Sequence, residues 1–401
     1  MIYKYPLAKD TITKEDIDVL VSWLSQSSIP QLTMGDRVKE FEKMWASYIG
    51  TKYAVFVNSG SSANLLMIYA LLMSGLLVPG KSKIIVPAVG WGTTIAPIMQ
   101  LGLIPIICDV DEETFGLDVE KVSKLIETDP DILGVFCVHA LGVPCKILEL
   151  KELCDLHQIF LLEDACASLG SKRELHRKIG SYGDMSSFSF YFGHQLSTIE
   201  GGMINTNDED LYRLLLMSRS HGWLKDIDDE TKNSIYKAHN IDEFHQPFTF
   251  FIPGFNLRGT DLQAVIGIEQ VKRAESASYS RDANHCRYYV NLRKLKDRLL
   301  IQQLSGNRIS SISFGAVCRN SKDRKSVVKA LIDNGIETRL YSAGNLARHP
   351  FISNSNIEYL KYDSLAVSNK IHDGGFFLPN YPKLTFEEID FICEVVSDSL
   401  K

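Results

Sequence analysis

Three short segments contain the residues whose types and spacing could perform chemistry. The first, NSGSSAN at 58–64, lies between an apolar strand-like run and an apolar helical run. A turn of small residues before a helix leaves backbone N–H groups free beside the positive end of the helix, and this combination binds phosphate. Considered alone, the segment is equally typical of a plain polar turn in which a serine caps the helix.

The second and third segments add a carboxylate and an imidazole. LLEDA at 161–165 ends an apolar strand with an acidic pair. Ligands of open α/β sheets bind at the carboxyl ends of strands, so Asp164 could pair with a protonated ring nitrogen, although a helix cap is the alternative. SFSFYFGHQLSTIEGG at 187–202 presents the hydroxyl of Ser189 and then His194. A lone histidine in such a loop is usually structural.

A repeated pattern of strands and helices must position these segments. β-Branched apolar runs between helical stretches indicate a mostly parallel sheet covered on both faces. The predicted strands are 53–57, 83–87, 104–110, 132–139, 158–164, 187–192 and 201–206. The predicted helices are 36–49, ended by Gly50, then 65–72, 208–221 and a connecting helix at 262–274, with 224–248 as an excursion or long loop.

The last part of the chain has a pattern of its own. A strand at 311–318 and a helix at 321–334 precede a closing helix that Thr385 and Glu388 open as a capping box. We therefore predict a large domain of residues 1–280 and a smaller C-terminal α/β domain of residues 281–401.

Composition excludes several classes of protein. The chain has 401 residues, 45% of them hydrophobic, enough for a large core, and its net charge of -6 argues against a nucleic-acid partner. Neither a signal-peptide core near the start nor an apolar run of roughly 20 residues is present, so we expect no membrane segment and a cytoplasmic location. None of the eight cysteines forms a C-x-x-C pair. Buried free thiols are therefore expected, and no metal site.

Together, the three segments resemble the DegT/DnrJ/EryC1/StrS family of sugar aminotransferases in order and spacing. Further similar segments are TMG at 33–35, VPAVGWGTT at 86–94 and PGFNLR at 253–258, so the resemblance covers nearly the whole chain. It implies a B6 enzyme with the aspartate-aminotransferase fold, called fold type I. It also implies pyridoxal 5'-phosphate or pyridoxamine 5'-phosphate as the cofactor.

The resemblance assigns cofactor contacts residue by residue. Gly60, Ser61 and Ser189 would hold the phosphate. In the family, the residue at Asn256 reaches the phosphate from the neighbouring subunit, which implies a homodimer with shared active sites. Trp91 would stack on the pyridine ring.

The resemblance also assigns one residue to the nitrogen of the cofactor ring and one to the carbon attached to that ring. Asp164 would pair with the nitrogen and make the ring an electron sink. His194 stands where the family has its cofactor-linked lysine, and an imidazole cannot form that covalent link. The cofactor would therefore be held noncovalently and cycle as pyridoxamine phosphate. Lys178, the nearest lysine, precedes the strand and is expected in a surface turn.

Within the family, this replacement resembles the sugar 3-dehydratases. One kind carries a cysteine-ligated iron–sulfur cluster, but residues 221–256 contain no cysteine. The other kind has no cluster, acts on a GDP-linked sugar and uses L-glutamate as amino donor, and the chain resembles this kind. A His-His pair is common there, whereas this chain has Gln195 after His194, which leaves the role of the second position open.

The resemblance implies a lyase that removes the C3 hydroxyl of a nucleotide-linked 4-keto-6-deoxy sugar, with release of ammonia. The product would be a 3,6-dideoxy sugar for a surface polysaccharide. His194 would remove a proton beside the cofactor ring and return one to the leaving oxygen, roles that suit a group with a pKa near 6.5. A nucleotide-sugar aminotransferase and a noncatalytic relative of the same fold are the alternatives.

Six further residues are predicted to bind substrate. Two are arginines, Arg258 and Arg339, whose guanidinium groups can fork onto the glutamate carboxylate or the nucleotide diphosphate. His221 could assist near the sugar, and Phe248 could form a wall of the partner's site. The remaining two are Met34 and Gly35.

Overall fold

The computed structural model describes residues 3–9, 11–75, 80–304, 306–356, 358–362 and 364–401. The helices in these ranges are α1 (Lys14–Leu24), α2 (Asp36–Ile49), α3 (Gly60–Met73), α4 (Gly92–Gln100), α5 (Val119–Thr128), α6 (Ile147–His157), α7 (Glu209–Arg219), α8 (Asp229–Ala238), α9 (Asp261–Leu292), α10 (Ser321–Asp333), α11 (Pro350–Ser353), α12 (Ala366–Gly374) and α13 (Phe386–Asp398). The strands are β1 (Tyr53–Val57), β2 (Lys83–Pro87), β3 (Ile104–Cys108), β4 (Ile132–Val138), β5 (Phe160–Asp164), β6 (Lys172–Glu174), β7 (Arg177–Lys178), β8 (Met185–Ser189), β9 (Gly202–Thr206), β10 (Leu299–Ile301), β11 (Ser313–Cys318), β12 (Leu360–Lys361) and β13 (Gly375–Pro379).

The central sheet is mostly parallel, as predicted. Within the described ranges it has eight strands in the order β1-β9-β8-β5-β4-β2-β3-β12, and β9 runs antiparallel to both of its neighbours. Side chains of a strand alternate between the two faces of its sheet. In β1, Ala54 and Phe56 enter one hydrophobic core, whereas Val55 and Val57 enter the other. Both faces of the sheet are therefore covered.

The three chemistry-bearing segments leave this sheet at one edge. Strands β5 and β8 are adjacent and parallel, with Asp164 opposite Ser187. Strand β9 lies antiparallel to both β8 and β1, so β1 has the same direction as β8. The carboxyl ends of β1, β5 and β8 therefore bring the phosphate turn, Asp164 and the His194 loop together.

The smaller C-terminal unit is built on an antiparallel sheet of β10, β11 and β13, which packs against α10 and α12, and α13 packs against α10 and α9. Thr385 and Glu388 form the predicted capping box of α13. The connecting helix α9 is much longer than the predicted 262–274, because its first part packs on α1 and α2 and its second part on α13. The predicted domain boundary at 280/281 lies inside this helix and remains a prediction.

The excursion at 224–248 was predicted without a helix, and this was wrong. It contains α8, which Asp228 caps by accepting a hydrogen bond from the Thr231 N–H. Tyr236 is the buried residue of α8, so its apolar pattern is too sparse to reveal a helix. By contrast, α2 has the predicted bounds and ends at Gly50, whose φ is 93°.

None of the helices in the described ranges combines the length and hydropathy that crossing a membrane requires.

Candidate active site

The turn between β1 and α3 has the close packing of an anion cradle. Ser59 caps α3 by accepting a hydrogen bond from the Ser62 N–H at 3.1 Å. A side chain on Gly60 would place its Cβ 2.6 Å from the Cβ of Ser189, so only glycine allows β8 to approach the turn this closely. Ser61 is exposed, and its hydroxyl contacts the Thr93 hydroxyl at 3.3 Å. The structure thus brings together the three residues predicted to hold a phosphate.

Asp164 is buried at the end of β5 and is fixed by two side chains that the sequence reasoning missed. Its Oδ2 accepts hydrogen bonds from Asn64 Nδ2 at 3.0 Å and from Thr94 Oγ1 at 2.7 Å. Its Oδ1 accepts a longer bond from the Cys166 N–H at 3.3 Å. Asn64 could have been noticed as an amide within an otherwise apolar helix. The orientation of the carboxylate is therefore set by α3 and α4.

Trp91 precedes α4 and remains 62% exposed despite its size. Its loop is held near Asp164, because Asn64 Nδ2 also donates to the Thr93 carbonyl at 3.1 Å. Trp91 lies three residues before Thr94, which contacts Asp164, and an exposed indole face can stack on a flat heteroaromatic ring. This position suits the predicted contact with a pyridine ring.

His194 lies in a tight loop beyond β8. Its N–H donates to the Tyr191 carbonyl at 2.9 Å, and Phe192 and Ile199 close the loop through a 3.1 Å backbone hydrogen bond. The side chain as a whole is half-buried, but its Nδ1 is enclosed and has no hydrogen-bond partner among the described residues. Burial lowers the pKa of His194 to about 4, against the opposing influence of the Cys166 carbonyl and of Asp164. The imidazole is therefore neutral near pH 7, and its pKa lies below the value near 6.5 from which its two proton-transfer roles were predicted.

These features together fit a B6 cofactor. They supply a helix N-terminus for the phosphate, a carboxylate for the ring nitrogen, an exposed indole for the ring face and an imidazole that cannot bind it covalently. Lys178 is placed elsewhere: its Nζ lies 4.4 Å from the centre of the Tyr48 ring and 3.9 Å from the Glu275 carboxylate. The prediction of a surface turn was wrong for Lys178, which lies in β7 with a largely buried side chain.

The segment that contains Asn256 and Arg258 runs beside the phosphate turn. Arg258 pairs with Val57 at the end of β1, and the Asn58 N–H donates to the Leu257 carbonyl at 2.9 Å. Asn256 is exposed, and its Oδ1 accepts a 3.0 Å hydrogen bond from Arg258 Nε. Both predicted residues therefore lie at the same edge of the sheet as the cradle.

His221 and Phe248 belong to a separate aromatic group. His221 has a left-handed backbone, with φ of 61°, and its ring centre lies 5.0 Å from that of Trp223. Trp223 stacks on Phe250 at 5.6 Å and meets Phe248 edge-on at 6.3 Å. Phe248 is 76% exposed. Trp223 was not among the predicted site residues, yet it contacts all three other rings of this group.

The other three predicted substrate residues have local contacts in the described structure. Gly35 is the N-cap residue of α2, and its N–H donates to Asp261 Oδ2 at 2.8 Å. Met34 has a φ of 52° immediately before it. Arg339 is exposed in the smaller unit and donates to Glu337 Oε1 at 2.8 Å. A role in substrate binding stays a prediction for these three residues.

A second buried cluster consists of Cys137, His139 and Cys145, whose possible ligand atoms lie within 4.8 Å of one another. Both ring nitrogens of His139 already have protein partners. Nε2 lies 3.2 Å from Glu163 Oε2, and Nδ1 accepts the Cys145 N–H at 3.2 Å. Three backbone N–H groups, from Gly180, Tyr182 and Gly183, hold Glu163 in turn. We interpret this cluster as a hydrogen-bonded part of the core.

The fold and the site define a B6 enzyme of fold type I, and the comparisons with known proteins agree. The chain belongs to the DegT/DnrJ/EryC1/StrS aminotransferase family, which it matches over residues 11–397. It is 35% identical to the GDP-4-keto-6-deoxy-D-mannose 3-dehydratase of Escherichia coli O55:H7, over 98% of this chain and 99% of that enzyme. It is 33% identical to the enzyme of the same name from Yersinia pseudotuberculosis, over 99% of each chain.

Solved structures of such enzymes have the same fold. The E. coli GDP-4-keto-6-deoxy-D-mannose-3-dehydratase with bound hydrated PLP superimposes with a TM-score of 0.89 at 32% identity, covering 99% of this chain and 100% of that one. A GDP-4-keto-6-deoxymannose-3-dehydratase with a trapped PLP-glutamate geminal diamine gives 0.88 at 32% identity, covering 98% and 100%. The predicted fold class is therefore confirmed.

Proposed function

We propose that this chain is a PLP-dependent lyase that removes the C3 hydroxyl of a GDP-linked 4-keto-6-deoxy sugar. The observation that carries the proposal is His194, a neutral imidazole at the position of the family's lysine, whose enclosed Nδ1 has no hydrogen-bond partner in the described part of the chain. Because this residue cannot retain the cofactor covalently, the site favours elimination over completion of an amino transfer. The similarity to two 3-dehydratases over almost the whole chain supports the same reaction.

The proposed mechanism assigns each residue a separate task. When bound, pyridoxamine phosphate would supply an amine for the C4 ketone and an electron sink for the reaction. The cradle of Gly60, Ser61 and Ser189 would hold its phosphate through backbone and hydroxyl donors. Asp164, fixed by its two donors, holds a negative charge at the ring nitrogen.

Proton transfer is the task of His194. Its imidazole accepts a proton from the carbon next to the ring and then donates one to the C3 oxygen as that oxygen leaves. A general acid–base of this kind accelerates a step by roughly 10²–10⁴-fold. L-Glutamate supplies the amine, in accord with the PLP-glutamate adduct trapped in the similar dehydratase. The sugar is released as a 4-keto-3-deoxy product with ammonia.

Mass spectrometry of the products tests this function. The purified protein would be incubated with PLP, L-glutamate and either a GDP-linked or a CDP-linked 4-keto-6-deoxy hexose. We expect loss of the C3 oxygen together with ammonia and 2-oxoglutarate, and faster turnover of the GDP sugar. A 4-amino sugar as product would instead establish an aminotransferase, and failure to bind any B6 vitamer would indicate a noncatalytic relative.

The assembly and the biological setting are also proposals. We propose a homodimer in which Asn256, an exposed residue, contacts the cofactor phosphate of the neighbouring subunit, as the membership of the family implies. Eight free cysteines are consistent with a reducing cytoplasm. We place the product in the synthesis of a 3,6-dideoxy sugar for lipopolysaccharide O-antigen or capsule.

A further inference from the structure

Gln195, the residue after His194, has an unusual position for its type. It is only 2% exposed and is the first of four buried residues, 195–198, that follow the half-buried His194. Its Nε2 donates to two backbone carbonyls, those of Ala167 and Ser310, the second at 3.0 Å. The side chain therefore points into the protein, away from the exposed part of the loop.

The two carbonyls belong to different parts of the fold. Ala167 follows β5 and Asp164, whereas Ser310 lies between β10 and β11 in the smaller C-terminal unit. One amide group thus joins the His194 loop to the segment that follows β5 and to the other unit. Gln195 is the next residue along the chain, so it limits the directions that His194 can take.

Residues 310–312, which include the carbonyl that Gln195 contacts, make further hydrogen bonds to the rest of the protein. The Ser310 N–H donates to Ser171 Oγ at 2.9 Å, and the Ile312 N–H donates to the Leu141 carbonyl at 3.0 Å. The buried Arg281 of α9 also donates to the Ser311 carbonyl at 3.4 Å and to the Ile312 carbonyl at 3.3 Å. Ser310 is therefore a firm point of attachment.

From this geometry we infer that Gln195 is a positioning residue. It holds the His194 loop against the junction of the two structural units and thereby fixes the orientation of the imidazole. This inference rests on the proposed function, because it assumes that His194 moves the proton. It also accounts for the second position of the His194 pair, whose role the sequence left open. A glutamine can donate two hydrogen bonds from one nitrogen, and both are used here.

The test is Gln195→Met, which preserves length and volume but removes both donors. Displacement of a catalytic group by about 1 Å can lower a rate roughly 100-fold. We therefore expect kcat to fall about 10- to 100-fold, with KM for the sugar unchanged. A loosened loop also admits water to the imidazole. The acid limb of the kcat–pH profile should therefore move up, towards the ordinary value of histidine. Asp164 and Arg281 are the charged groups that face this ring, and both remain in the variant.

Gln302 provides a matched control. It is also 2% exposed, and its Nε2 donates to the carbonyls of Thr114 and, at 3.1 Å, Ala140, again across the two units. Gln302→Met should therefore destabilise the protein to a similar degree in thermal unfolding, without moving the pH profile. A purely structural role for Gln195 predicts the same behaviour for both variants.

The outcomes separate this inference from the proposed function. If the wild-type protein does not deoxygenate the sugar, the proposed function fails. If it does, but Gln195→Met retains the wild-type kcat and pH profile, the positioning role is wrong. Absorption spectra of bound PLP across pH give a second readout that needs no turnover, and the spectrum of Gln195→Met should titrate differently from both wild type and Gln302→Met. Identical titration of all three proteins would also overturn the inference.

Discussion

Asn64 Nδ2 lies 3.0 Å from Asp164 Oδ2, although 100 residues separate the two in the chain. The Asn64 side chain is 1% exposed, and its Oδ1 has no partner among the described residues. The amide sits one turn into α3, whose first turn contains the proposed phosphate cradle. One helix therefore orients both the phosphate end and the ring-nitrogen end of the proposed cofactor site.

Asn64→Leu should weaken cofactor binding about 10- to 100-fold, because a hydrogen bond to a charged group contributes about 1.5–3 kcal/mol. Titration of the apoprotein with PLP, followed by absorption, measures this. Asn291→Leu is the matched control, since Asn291 makes the same amide-to-carboxylate bond to Asp390, at 2.7 Å, in the smaller unit. Equal PLP affinities for the two variants would contradict the proposed role.

His194→Lys should convert a noncovalent site into a covalent one. A primary amine at this position can condense with PLP, so the variant should gain the mass of one cofactor after borohydride reduction. Dehydration should fall by at least about 100-fold, because the acid–base group is lost. Intact-protein mass spectrometry and the product assay give the two measurements. Wild-type turnover in the variant would refute a role for the imidazole.

The stability of the protein should depend on pH through His194. Its folded pKa of about 4 lies below the ordinary value of 6.5, so between these values the unfolded chain binds more protons and stability falls as the pH falls. The loss is at most about 1.4 kcal/mol per pH unit. His194→Asn should therefore gain stability relative to wild type at about pH 5 but not at about pH 8, as measured by chemical unfolding. His176→Asn, at an exposed position, should show no such gain.

Asp109 joins the two units from the carboxyl end of β3. Its buried carboxylate accepts the Ser368 N–H at 2.8 Å and the Val367 N–H at 3.0 Å, and so caps α12, whose own N-cap residue offers no side-chain bond. Burial opposes ionisation, but the bonds from Ser368 and Val367 outweigh it and hold the pKa of Asp109 below its usual value. Asp109→Ala should cost about 1–3 kcal/mol of unfolding free energy. Asp373→Ala, at an exposed position, is the control, and equal losses would contradict the capping role.

Shared active sites predict complementation between two inactive variants. His194→Asn and Asn256→Asp homodimers should each have little activity. A mixed dimer would contain one site with both natural residues, so an equal mixture should recover about a quarter of the wild-type activity after subunit exchange. Product formation in the mixture measures this. No recovery, with exchange demonstrated by mass, would show that each site is built from one subunit.

Local patterns in the sequence predicted a large part of the fold and of the candidate site. Strands β1 and β2 and helix α2 have their predicted bounds, because continuous apolar runs and a terminal glycine are local signals. The phosphate turn, Asp164 and His194 were identified because their three segments together resemble the family in order and spacing. The prediction failed for α8, which has too few buried side chains to show a period. It also failed at the end of β8, predicted at 187–192, because aromatic residues continue past Ser189, where the strand ends.

The sequence by itself therefore determined the class of fold and the chemical types present: a phosphate turn, a carboxylate, an indole and an imidazole in place of a lysine. The tertiary structure decided how these groups are held. Asn64 and Thr94 meet Asp164, and Gln195 meets Ser310, only because strands and helices distant in the chain pack together. Such contacts leave no periodic trace in the sequence, since each depends on one side chain reaching one atom across the fold.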